Sequence, residues 1–196
     1  MFFSDAHCLV TDGGAALAGD QERGDYLRLA RGVAARHGLK LPAYALLPGR
    51  ALLYFVTPGT DLRNVMAEFR TGGLPGYLTG RCKYKLLQPE RYAAHLARFI
   101  HLEPVKAGLA AAPEDYRWSS AAQYAGKAEG PADKGVVLRF LDKDPALARE
   151  KYLAMMAEPV PGKFWRPFAK NRDAVLGDGA FTSAHSPHAG PPGIQL

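Results

Sequence analysis

The sequence predicts an α+β fold. Three observations predict it: short runs that are apolar or alternate with a period of two, longer stretches with apolar residues at three- and four-residue steps, and glycine or proline pairs at the junctions. Residues 6–11 (AHCLVT) read as a first strand, broken by Asp12, Gly13 and Gly14. A helix begins at Asp20, a residue suited to capping it. Tyr26, Leu29, Ala30, Val33, Ala34 and His37 share its apolar face, and Gly38 ends it. Residues 40–47 and 51–56 form two strands around Pro48-Gly49, which favours a tight antiparallel hairpin. After Pro58-Gly59, Asp61 opens a second amphipathic helix with Leu62, Val65, Met66 and Phe69, ending near Thr71. Residues 82–87 alternate, Lys83 and Lys85 on one side and Tyr84 and Leu86 on the other, as a strand requires. A third helix starts at Pro89, with Tyr92, Leu96, Phe99 and Ile100 inward and Arg91 and Arg98 on other faces. The order β, α, β, β, α, β matches a ferredoxin-like antiparallel sheet with helices on one face.

Beyond that unit a helical C-terminal extension is expected. Residues 104–124 read as loop-rich. Residues 136–141 and 144–158 read as short helices, the second turning Leu147, Ala148, Tyr152 and Met155 inward. The division is thus 1–102 for the ferredoxin-like domain, 103–182 for the extension and 183–196 for a disordered, proline-containing tail.

Composition fits this picture. In a chain of 196 residues, 47% hydrophobic and 22% charged content supports a packed core and excludes collagen, coiled coil and wholesale disorder. No apolar run approaches the roughly 20 residues of a membrane-spanning helix, and the first residues have neither a basic start nor an extended apolar stretch, so no membrane partner and a cytoplasmic location are expected. Cys8 and Cys82 lie far apart without CxxC spacing, which suits reduced thiols rather than a disulfide framework or a zinc knuckle. The net charge of +6 permits polyanion binding without establishing it.

The most specific signal spans residues 98–126, RFIHLEPVKAGLAAAPEDYRWSSAAQYAG. It closely resembles the Tyr-Ile-x-x-Asn-Pro-Val-Arg-Ala-Gly-Leu, Pro-x-Asp-Tyr-x-Trp-Ser-Ser and Tyr-x-Gly segments of the REP-associated tyrosine transposases, small single-strand DNA transposases of the HUH class. Other stretches agree in order: His7 to Thr11 with the family's opening strand, Ala43 to Pro48 with its Ala-Tyr-x-Leu-Met-Pro, Gly80 to Lys83 with its Gly-Arg-Phe-Lys, and Val175 to Phe181 with its Val-Leu-Gly-Asp-x-x-Phe. The resemblance runs from residue 6 to about 182. It implies a protein that cleaves and rejoins single-stranded hairpin DNA with a divalent cation such as Mg. It also implies hairpin or single-stranded DNA as partner and, because small HUH proteins often dimerise, a homodimer.

The catalytic motifs depart from that pattern. Members carry Pro-Asn-His-hydrophobic-His, whose alternation places two imidazoles on one strand face to hold the cation. Here Pro48-Gly49-Arg50-Ala51-Leu52 puts Arg50 and Leu52 at the histidine positions. Arginine stays protonated and leucine has no donor atom, so no metal and no cofactor are expected. Either Arg50 supplies the cation's charge directly, or it marks a degenerate site. The family's nucleophilic tyrosine lies in a segment that is about a dozen residues shorter here, RTGGLPGYLT between Phe69 and Gly80. Its one tyrosine, Tyr77, aligns better with an apolar position, and an unactivated phenol is a poor nucleophile at neutral pH. The chain is therefore expected to be inactive as a transposase or endonuclease.

For DNA contact the basic candidates are Arg70, Arg81, Lys83, Lys85, Arg98, Lys106 and Arg117, beside Tyr84, Tyr116 and Trp118. Such a set joins phosphate-neutralising charge to rings on which bases can stack. The competing reading makes Tyr116 and Trp118 core anchors and the cations a solvated face. Ser119 and Ser120 suit a loop or cap rather than nucleophiles. Glu103 replaces the family's asparagine before Pro104, exchanging an amide donor for an anion that would weaken DNA contact. His7, His37, His95 and His101 are scattered and fit satisfied core or surface histidines. The expectation is a transposase-like DNA-binding protein without its chemistry. The rival is a folded structural or interaction module, a relic of a mobile-element gene. A basic patch confined to one face favours the first.

Overall fold

The computed structural model describes residues 6–13, 17–57, 82–169 and 175–185, together with Val65, Ala67 and Glu68. Five strands form one sheet in the order β2-β3-β1-β4-β5: β1 Ala6–Gly13, β2 Lys40–Leu47, β3 Arg50–Thr57, β4 Cys82–Leu87 and β5 Val175–Leu176. The first four are antiparallel, in the ferredoxin-like order that the sequence pattern predicts. β5, too short to show a period, joins β4 in parallel at Leu86–Val175 and Leu87–Leu176.

Helix α1 (Asp20–His37) covers one face with Tyr26, Ala30 and Val33 against Cys8, Val10, Leu53 and Phe55. Its first turn is held by the Glu22 carboxylate, which accepts from the Gly19 N–H at 2.9 Å, so Gly19 rather than Asp20 is the cap. Gly38 ends it at φ 64°, a left-handed conformation that glycine adopts without a side-chain clash. Of the helix expected from Asp61, Val65, Ala67 and Glu68 are described; Val65 is buried on this same face.

Helix α2 (Pro89–Lys106) and the extension cover the opposite face. There Leu96, Phe99 and Ile100 meet Leu9, Leu52 and Tyr54. The helix runs through Pro104, beyond the expected boundary: the proline gives up one ladder bond, to the Ile100 carbonyl, and the bonds Ala107 N–H to Glu103 O and Leu109 N–H to Pro104 O, both at 2.9 Å, close the end after it. The extension supplies a 3-10 turn at Pro113–Asp115, then α3 (Ala121–Tyr124), α4 (Gly135–Leu138), α5 (Pro145–Ala157), α6 (Arg166–Ala169) and α7 (Gly179–His185). The Asp144 carboxylate caps α5 by accepting from Ala146 and Leu147 N–H at 2.8 and 3.0 Å.

Three local expectations are corrected. Leu147 is 48% exposed, because the inward face of α5 is carried by Ala148 and Tyr152 together with the partly buried Met155 and Met156. Residues 183–185 of the expected tail belong to α7, where the Phe181 ring stacks on His185. Arg98 is buried rather than outward, since the segment after α5 folds back over its face of α2.

The edge of the sheet at β2 is not bare. Leu46 N–H donates to Trp118 O at 2.9 Å and Ser120 N–H to Tyr44 O at 3.0 Å, so residues 118–120 continue the ladder. Beneath that seam lies a buried polar knot. Tyr44 N–H donates to Ser120 Oγ at 3.0 Å, His101 Nε2 lies 2.6 Å from that oxygen, and His101 Nδ1 bonds the Tyr152 hydroxyl. Burial pushes the His101 imidazole down to about 3, so it is neutral at ordinary pH.

Candidate nucleic-acid interface

The β2–β3 turn brings Arg50 and Leu52, the positions compared above with the histidines of the resembled motif, to one end of the sheet. Gly49 takes φ 73° in that turn, which commits it to glycine. Arg50 and Leu52 then point to the α2 face, as alternate residues of one strand must. Leu52 is buried among core residues at 1% exposure. Arg50, its side chain 39% exposed, forms an ion pair with Glu103, which is 4% exposed. The other Glu103 oxygen accepts from Lys106 Nζ at 3.1 Å. Two of the three departures from the resembled pattern on this face, Arg50 and Glu103, are thus bonded to one another across 53 residues of sequence, the third being Leu52.

Register extends the row. Thr11 pairs with Leu52 on one side and with Lys83 on the other, so these three side chains project from the same face of the sheet. Lys83 is exposed there. Two strand spacings separate β3 from β4, and Arg50 stands two residues along β3 from Leu52, which sets the backbones of Arg50 and Lys83 about 12 Å apart on the diagonal. Lys106 Nζ also lies 4.3 Å from the centre of the Trp165 ring, a cation–π contact. Trp165 in turn meets Phe99 and Phe164, with ring centres at 5.7 and 5.4 Å. Among the described residues this end of the sheet therefore presents three cations, one buried anion and one partly buried indole.

The other expected contacts disperse. Lys85 is 8% exposed, its Nζ donating to Pro167 O at 3.0 Å beneath α6. Arg98 is 4% exposed, donating to Glu158 O at 2.6 Å with its guanidinium over the Phe164 ring. Both are enclosed by their own chain. Arg117 and Trp118 lie past the β2 edge toward α1. There Trp118 Nε1 donates to Asp20 at 2.6 Å, packs against the α1-side core, and carries the Arg117 guanidinium over its ring. Tyr116 is a core anchor whose hydroxyl donates to Leu46 O at 2.7 Å. Tyr84 is 38% exposed on the strand face opposite Lys83. Arg70, Tyr77 and Arg81 lie outside the described residues.

The other candidate histidines are engaged in the fold. His7 Nδ1 is 2.5 Å from the Tyr54 hydroxyl, and burial raises that phenol. His37 and Arg36 bond Glu68, which holds its carboxyl below the usual range. His95 lies edge-on to Phe164, and partial burial lowers its imidazole. A divalent ion does not fit the site as built: Arg50 is permanently charged, Leu52 has no donor, and both Glu103 oxygens are taken by cations. Among the described residues no group of three His, Cys, Asp or Glu side chains could hold a metal.

Trp165 was given no role by the sequence. The signal that marks it is the interleaving of Lys163 and Arg166 with Phe164, Trp165 and Phe168, a basic-aromatic alternation ahead of the Val-Leu-Gly-Asp motif.

No family model and no curated protein matches the sequence. Among solved structures, a REP-associated tyrosine transposase bound to a REP hairpin superimposes with a TM-score of 0.51 at 16% identity, covering 68% of this chain and 91% of that one. That similarity establishes a shared, distantly related fold. No helix among the described residues is long and apolar enough to cross a membrane.

Proposed function

We propose that this chain binds single-stranded hairpin DNA through the cationic end of the sheet, without a metal and without cutting the strand. The observation that carries the reading is the trio Arg50, Lys83 and Lys106 on one face, two of them organised by Glu103, in a fold shared with a hairpin-bound transposase. A guanidinium supplies two parallel N–H donors to phosphate oxygens, and the lysines add point charges, so the trio can grip a backbone with no bridging cation. Glu103 holds the heads of Arg50 and Lys106 beside one another. Substitution of both metal histidines by residues that cannot ligate supports the loss of cleavage. Arg81 belongs to the same proposal through its place in Gly80-Arg81-Cys82-Lys83, and Arg70 as a member of the basic set around the resembled segments. Arg117 and Trp118 stand apart from the trio and are left as the clamp between α1 and the β2 edge.

The test is fluorescence anisotropy of a labelled hairpin oligonucleotide, with Lys83→Ala and Lys106→Ala as variants. Binding weakened by salt and by each substitution is expected. No binding at low salt would leave the chain as a folded module without DNA. A covalent protein–DNA adduct formed with any divalent ion, and lost in Tyr77→Phe, would overturn the inactive half of the proposal.

A further inference from the structure

Next to the cationic trio stands a ring whose position the trio alone does not explain. Trp165 is partly buried; Phe99 and Phe164 meet it at 59° and 81°, contacts that fix its plane. The ammonium 4.3 Å from its centre belongs to Lys106, whose side chain is 48% exposed and whose other partner is Glu103. A fixed indole with a displaceable cation over its face, one lysine away from Arg50, has the make-up of a base-stacking platform beside a phosphate clamp.

We propose that Trp165 stacks an unpaired nucleobase of the bound strand, Lys106 leaving the ring for the neighbouring phosphate. This rests on the hairpin-binding reading and deepens it by naming what the site selects: an unpaired base adjoining a phosphate, as in a hairpin loop or single-stranded flank. Stacking of this kind is tolerant of sequence, because every base has a π face. A base inside a duplex already has its neighbours on both faces and cannot offer one. The lysine exchanges a ring for an anionic oxygen, a charge-assisted contact. The site therefore prefers loop over stem.

The experiment pairs two hairpins of equal loop length, one with thymidine in the loop and one abasic, against the intact chain, Trp165→Leu and Trp165→Phe. Anisotropy is expected to show the thymidine hairpin losing roughly tenfold in affinity with Trp165→Leu. Less loss is expected with Trp165→Phe, and little or none for the abasic hairpin with either variant. Intrinsic tryptophan fluorescence should be quenched by the thymidine hairpin in the intact chain and not in Trp165→Phe, which keeps Trp118. Equal weakening on both hairpins, or quenching that persists in Trp165→Phe, would overturn the platform while leaving hairpin binding in place. Absence of binding by the intact chain would overturn both.

Discussion

Replacing Glu103 by glutamine should tighten DNA binding, an unusual direction for a change at a nearly buried ion-paired residue. The cations Arg50, Lys83 and Lys106 set against the Glu103 carboxylate leave a local charge of +2, and Glu103→Gln raises it to +3. A phosphate held by Arg50 or Lys106 sits two charge-assisted contacts, about 6 Å, from that carboxylate. Coulomb's law puts their repulsion at about 0.7 kcal/mol at the dielectric constant of water, which is about threefold in Kd. The salt dependence sharpens the test. With about 0.7 in the log–log slope per single-strand phosphate contact, two contacts give about a sevenfold loss of affinity between ~50 and ~200 mM salt, and three give about eighteenfold. Glutamine keeps an acceptor for Arg50, so the fold should survive, as far-UV circular dichroism would verify. A correctly folded Glu103→Gln protein with unchanged or weaker affinity and an unchanged slope would refute the reasoning.

Four further outcomes follow from the same geometry. His101, held near 3 by burial, stays neutral in the folded chain while the unfolded chain takes up a proton near 6.5. Its contribution is therefore complete above about pH 6.5 and is lost progressively toward pH 3, amounting to about 2 kcal/mol between pH 6.5 and 5. Urea unfolding at those two pH values should show the loss in the intact chain and a smaller one in His101→Gln; equal losses would contradict it. Cys8, fully buried with its thiol pushed up to about 12, should resist alkylation at pH 8 in the native chain and react once urea is added, as site-resolved mass spectrometry can read. Lys85→Met should leave the salt slope of binding unchanged while costing about 1 kcal/mol of stability through the unpaired Pro167 carbonyl; a reduced slope would return Lys85 to the interface. Hairpin binding should be indifferent to a chelator, and affinity that disappears with EDTA would mean that a metal is present after all.

The parts of the fold legible in the sequence are those that local periodicity dictates. The hairpin around Pro48-Gly49, the capped helix ending at Gly38 and the alternating strand at residues 82–87 all stand where pattern and turn chemistry place them. Misreadings arise where a second layer decides. Arg98 and Lys85 look solvent-facing along their own elements, and only the return of residues 158–168 buries them. Leu147 errs the other way, an apolar side chain at helical spacing that the fold leaves exposed. β5 escaped because two residues carry no period and owe their strand to Leu86 and Leu87. The site was half legible: Arg50 and Glu103 each stood out as departures from a family pattern. Their complementarity, cation against anion, becomes visible only when the β2–β3 turn and the last turns of α2 are seen together. Trp165 lay hidden because its meaning depends on Lys106, a residue on another element.

The seam along β2 and the short strand β5 also bear on how such a chain can lose sequence. Each flank of the sheet is sealed by a piece of the extension, residues 118–120 on one side and Val175–Leu176 on the other. A gene shortened anywhere before codon 175 would yield a protein with open amides beside Leu86 and Leu87, a template for joining its own copies edge to edge. One shortened before codon 118 would bare both flanks. Truncation would thus favour self-association through the bared edges, whereas a side chain can change at positions 50, 52 and 103 without opening either flank.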